Sequence, residues 1–370
     1  MIKMKNRIAV VVICMLLIFI GIPVSGTLNI DKNQNFLSFG TTLYVGGSGP
    51  GNYTKIQDAI DDSSDWDTIF VYDDSSPYFE NILIDKSIIL KGENRETTII
   101  DSFEDNIIIY ITEDEVTVSG FTIQNSIYDG ILVCREDNPN WDNEIKNVTI
   151  YNNIIKNVSR GIFGITLLNS HIYNNYIEDV DTGIKLGFSS NNNVSYNFVK
   201  DADYRGINIH SHRTGHRILD MIFGNVLPLS KNNIIFRNTV EDNRWGIDIS
   251  SGCIGTKIIN NNIINNWEIG LEVYSSTNTE IKINNFSQTE KYIGYEHSYF
   301  TTLKRFNQFI TNSWDGNYWS EPKSKPVGIN GEFNYYIYIP LGITGGVEFN
   351  ILNIPLIRYD RHPAQEPYEF

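Results

Sequence analysis

Between Val148 and Val273 the apolar positions return in a fixed frame. Asparagines stand at Asn153, Asn175, Asn197, Asn238, Asn262 and Asn285; two residues after the first five come Ile155, Ile177, Val199, Val240 and Ile264, and after the last comes Ser287. Eight or nine residues beyond those five asparagines lie Gly161, Gly183, Gly206, Gly246 and Gly270, each followed by isoleucine or leucine. The uninterrupted steps run 22 to 24 residues. That is too short for a helix pair or a propeller blade and suits one turn of a parallel β-helix.

In such a solenoid each turn supplies about three short strands, and turns stack at ~4.8 Å, so equivalent side chains form columns. Aliphatic columns fill a narrow dry core. The asparagines Asn153, Asn175, Asn197, Asn238 and Asn262 are expected to form a ladder whose amides hydrogen-bond from turn to turn. Glycine belongs where a close bend excludes a Cβ or requires positive φ. An antiparallel sandwich would need no such columns. The fold class read here is therefore all-β, a single-stranded parallel β-helix.

The flanks read differently. Residues 1–26 have the form of a signal peptide: Lys3, Lys5 and Arg7, then the apolar run Ile8 to Ile20, then Val24-Ser25-Gly26. The membrane is met only through this segment, should it stay uncleaved as an anchor. Residues 27–40 are a polar leader, 41–310 the solenoid, and 311–370 an aromatic, proline-punctuated cap. Near the start, Ile56, Ala59 and Ile60 share one helical face behind Thr54, a candidate N-cap, and this helix is expected to lid the first coil. Two coils carry extra length at the same place, after Val133 and after Ile209, as excursions from one edge of the stack.

Composition narrows the partners. The formal charge of −15 becomes −18 without the signal peptide's three cations, which disfavours nucleic acid and suits an exported, secreted or cell-surface protein. Only Cys134 and Cys253 remain beyond the leader, four turns apart and on the order of 19 Å, too far for a disulfide.

The run from Tyr44 through Gly92, and the tail Asn312-Ser313-Trp314-Asp315-Gly316-Asn317-Tyr318-Trp319, carry a family resemblance over most of the chain. They resemble exported right-handed parallel β-helix proteins, common on archaeal surfaces, that are related to the copper-associated NosD family and to carbohydrate-binding and sugar-hydrolase, pectin lyase-like domains. The resemblance implies a right-handed coil and a ligand laid along its flank, a polysaccharide or a surface-layer protein. It leaves open a carbohydrate-active lyase or glycoside hydrolase, and a NosD-like role in copper handling.

Candidate chemistry lies two residues after the column glycines, where side chains point outward: Leu132, Phe163, Lys185, Asn208, Asp248 and Glu272. Asp248 and Glu272 fall on adjacent turns. They are candidates for catalysis on a glycosidic bond, for holding Ca²⁺, or for plain solvated charge. Lys185 and Asn208 are candidate ligand contacts on the same face. His210, His212 and His216 form H-x-H-x3-H, a spacing that suits copper or zinc. Trp314 and Trp319 are read either as a sugar-stacking platform or as the closure of the solenoid.

Overall fold

The computed structural model describes residues 40–103, 106–135, 143–211, 229–250, 252–287, 292–301, 312–320, 323, 325–340 and 346–370. The signal peptide, all of the leader before Gly40, His212 and His216 lie outside the described residues.

Eleven short strands, from Thr42–Val45 to Ser313–Asp315, stack in parallel and in chain order into one sheet. Each coil then turns into a second run of strands. Six of these carry the outward face considered below: β1 (Thr122–Val133), β2 (Ile154–Ile165), β3 (Tyr176–Gly187), β4 (Ala202–His210), β5 (Trp245–Ser250) and β6 (Ile269–Tyr274). Each pairs in parallel with the next. The molecule is a right-handed parallel β-helix, the hand expected of parallel strands joined by crossovers.

Stacking makes the core a set of single-file columns. One runs Val118, Ile150, Ile172, Val194, Ile235, Ile258, Ile281, Trp314, all buried. Another runs through Val199, Val240, Ile263 and Phe286 to Trp319. Aliphatic residues fill the shaft, and tryptophans stand at the last rungs of both columns. Trp314 and Trp319 are each 4% exposed, and Trp319 stacks on Phe286 at 4.7 Å. They close the core, and the sugar-platform reading of these two residues is corrected. The coil register also continues through Trp319, past the expected cap boundary at residue 310.

Polar columns fix the register. Asn175 donates from Nδ2 to Asn197 Oδ1 at 3.0 Å, and its backbone N–H donates to the same oxygen at 3.1 Å. The pattern repeats from Asn153 through Asn238. It then passes to Asn261, Asn284 and Asn317, so the expected membership of Asn262 and Asn285 is off by one. Asn262 pairs with Thr239 on the neighbouring rung, one position past the ladder. In the doublets Asn261-Asn262 and Asn284-Asn285 the first residue turns inward, and Ile263 rather than Ile264 faces the core. The ladder ends on the buried carboxylate of Asp360, which accepts from the Gly316, Asn317 and His362 backbone N–H groups, Asn317 Nδ2 and Trp319 Nε1.

Asparagine is abundant for a second reason. Asn125, Asn157 and Asp179 take φ of 67°, 51° and 54° at the bend inside β1, β2 and β3, and Asn152, Asn174 and Asn260 do the same at another corner. Left-handed backbone favours asparagine and aspartate among non-glycine residues. The column glycines, by contrast, have ordinary φ. A Cβ on Gly183 would sit 2.5 Å from the Gly206 carbonyl oxygen, so close stacking alone demands glycine there.

At the other end α1 (Ile56–Asp62) buries Ile56, Ala59 and Ile60 over the first coils. Thr54 is not its cap. The Ile56 and Gln57 N–H groups donate to the Glu80 carboxylate at 2.8 and 3.0 Å, a cap reached from a later coil. Lys86 Nζ donates to the Ile60, Asp61 and Ser63 carbonyls at the opposite terminus. Cys134 and Cys253 are not bonded to each other.

Gly183→Ala is expected to cost about 1–3 kcal/mol through overpacking. Urea denaturation should show a lower midpoint at unchanged slope; an unaltered midpoint would show that the glycine column is not close-packed.

Candidate functional site

On β1 to β6 the residues flanking each core position face out. Ile247 and Ile249 are buried in the core on either side of Asp248. The strand register aligns Leu132, Phe163, Lys185, Asn208, Asp248 and Glu272 in one row. A second row, at the residue before each column glycine, reads Asp129, Arg160, Thr182, Arg205, Trp245 and Ile269. The first row agrees with the sequence reading. The second was not singled out, although its two arginines share one column position and were legible by the same alignment.

The two rows interlock. Asp248 points away from the core yet is 0% exposed, so it is not a solvated surface charge. Arg205 Nε lies 2.5 Å from Asp248 Oδ2, and Asn208 Nδ2 donates to the same oxygen at 2.9 Å. Asp248 Oδ1 has no hydrogen-bond partner among the described residues. The Arg205 guanidinium lies over the Tyr204 ring at 3.8 Å and over Trp245 at 4.8 Å, an aromatic pair that holds it in place. Four rungs before Asp248, Asp129 is equally buried, and Arg160 engages both its oxygens, with Arg160 Nη2 donating at 2.9 Å. Arg160 also lies 4.3 Å from the Phe163 ring centroid.

Between the two arginine–aspartate pairs stands Lys185, its Nζ 5.1 Å from the Phe163 ring. Among the described residues it has no carboxylate partner. Burial lowers its pKa, and Arg160 and Arg205 add to the effect. Burial likewise raises the carboxyls of Asp129 and Asp248, against the pull of their arginines. Glu272, on the rung after Asp248, is pushed up to about 8, first by burial and then by the charge of Asp248. Burial raises both carboxyls of this adjacent pair, and the charge of one opposes ionisation of the other.

This arrangement does not suit Ca²⁺, because Arg205 already occupies the cationic place beside Asp248. Among the described residues no three metal-ligating side chains of the His, Cys, Asp or Glu type gather at one point. His210 ends β4 with its ring 6.0 Å from Phe188, and the rest of the histidine motif lies outside the described residues.

Residues 106–287 match the family model described as the right handed beta helix region. No curated protein matches the sequence significantly. Among solved structures, the A-module of the mannuronan C-5 epimerase AlgE6 from Azotobacter vinelandii aligns at 13% identity and a TM-score of 0.52, over 72% of this chain and 73% of its own. Pectate lyase Pel9A aligns at 14% identity and 0.48, over 76% and 75%. The polygalacturonase from Erwinia carotovora aligns at 12% identity and 0.44, over 77% and 81%. At these identities the likeness is one of fold.

Since Glu272 has a folded-state pKa above its ordinary value of 4.5, folding favours its protonated form, and stability is lost as pH rises toward about 8. Glu272→Gln removes the ionisation. Its melting temperature is expected to equal that of the wild type at pH 4 and to exceed it at pH 9. Parallel melting curves across that range would contradict the buried environment assigned to Glu272.

Proposed function

We propose that this chain binds a polysaccharide along the face of β2 to β6, with Lys185 engaging an acidic sugar. The observation that carries this reading is the lone half-buried ammonium between two arginine–aspartate pairs. A passive solenoid flank has no need of a desolvated cation, and removing one from water is unfavourable until an anion arrives. The neighbouring coils extend the face along the solenoid axis, the shape an extended chain requires. A solved protein of this fold is a mannuronan epimerase, which supports a polysaccharide as the ligand class.

Isothermal titration with polygalacturonate, alginate and a neutral glucan tests the reading. The acidic polymers are expected to bind, and Lys185→Ala to weaken them by about tenfold or more, the loss of one charge-assisted contact. Equal affinity for the neutral glucan, or an unaffected Lys185→Ala variant, would overturn it.

One observation favours a second reading, cleavage of the bound chain. Glu272 pairs with Asp248 on the adjacent rung, and its carboxyl is raised by burial and by the charge of Asp248, the direction a general acid requires. Glu272→Gln would then abolish release of reducing ends or unsaturated products while leaving binding intact. Wild-type protein that binds the polymer but yields no product would leave the chain a binding protein. Export through residues 1–26 belongs to the same proposal; a mature N-terminus found at Met1 in the cell-surface fraction would contradict cleavage after Gly26.

A further inference from the structure

A second polar cleft, of about 510 Å³, opens where the C-terminal segment crosses the last rungs of the eleven-stranded sheet. Its wall on the sheet side is Lys282 and Asp315, paired on adjacent rungs, and its other wall is Arg358, Tyr359, Arg361 and His362. The cleft thus gathers three permanently cationic side chains in a chain whose formal charge is −15. Its acid is engaged, since Asp315 Oδ1 lies 2.6 Å from His362 Nδ1. Lys282 is held toward Glu280 at 2.5 Å. Arg361 is exposed and, among the described residues, has no carboxylate partner.

The backbone that presents these groups is fixed from beneath. Asp360 is fully buried at the end of the asparagine ladder and accepts the His362 N–H, so the turn carrying Arg361 and His362 is anchored to the core. Tyr359, about half exposed, adds an aromatic edge beside them. A guanidinium held in a preformed concavity, with an ammonium on the facing wall, matches a small oxyanion in charge and in donor geometry.

We infer that this cleft is an anion-binding site, recognising a phosphate, sulfate or carboxylate group through Arg361, with Lys282 on the facing wall. Its Lys282 and Asp315 wall lies on a different sheet from Lys185, and the proposal does not depend on the polysaccharide reading. Calorimetric titration of the whole protein with inorganic phosphate, sulfate and acetate tests it. Saturable binding of the first two identifies a tetrahedral oxyanion, and binding of acetate alone identifies a carboxylate. Arg361→Ala, an exposed change that spares the core, is expected to weaken binding about tenfold or more. Arg361→Lys should restore part of it, and Lys185→Ala should leave it unchanged. No heat with any of the three anions would overturn the proposal. So would binding that survives Arg361→Ala or disappears in Lys185→Ala.

Discussion

The structure depends on one repeated contact, a side-chain amide oxygen that accepts both the backbone N–H and the side-chain Nδ2 of the asparagine one coil before it. Each such oxygen satisfies two donors that would otherwise be stranded inside a corner of the coil. An unmade buried hydrogen bond costs about 1–3 kcal/mol, so a coil displaced by one residue would strand several groups at once. Parallel strands alone give weaker discrimination, since aliphatic columns of isoleucine and valine tolerate exchange among themselves. The ladder makes the register singular, and the carboxylate of Asp360 terminates it by accepting the last donors in place of another asparagine.

Fixed register is also what assembles the charged face. Asp129 and Arg160 belong to neighbouring coils, as do Arg205 and Asp248, yet each pair is separated in sequence by tens of residues. Slippage of one coil would carry arginine or aspartate into the aliphatic core. The buried ion pairs themselves contribute little net stability, because desolvation offsets their attraction. They stand on one flank with Lys185 between them, where their register rather than their net energy places the charges.

Much of this was legible in the sequence because stacking converts spacing into contact. The columns at Gly161, Gly183 and Gly206 and the outward row through Lys185, Asp248 and Glu272 follow from counting alone. The count slipped at Asn261-Asn262, where two adjacent asparagines fit the spacing and only packing decides which turns inward. The burial of Asp248 is hidden from the sequence for a different reason. Periodicity says which way a side chain points, while its burial depends on neighbours such as Arg205 and Asn208 closing on it from the preceding coil. Trp314 and Trp319 likewise look like ligand contacts until the end of the core is located. Glu80, capping α1 from a later coil, left no local signal at Thr54 or Lys55.

The most direct test of the register is a double-mutant cycle between Asn238 and Asn261, with Asn238 and Asn262 as the control pair, read by urea denaturation. The ladder predicts a coupling on the order of 1 kcal/mol between Asn238→Ala and Asn261→Ala, and additive behaviour within about 0.5 kcal/mol for Asn238→Ala with Asn262→Ala. Coupling to Asn262 and additivity with Asn261 would contradict it.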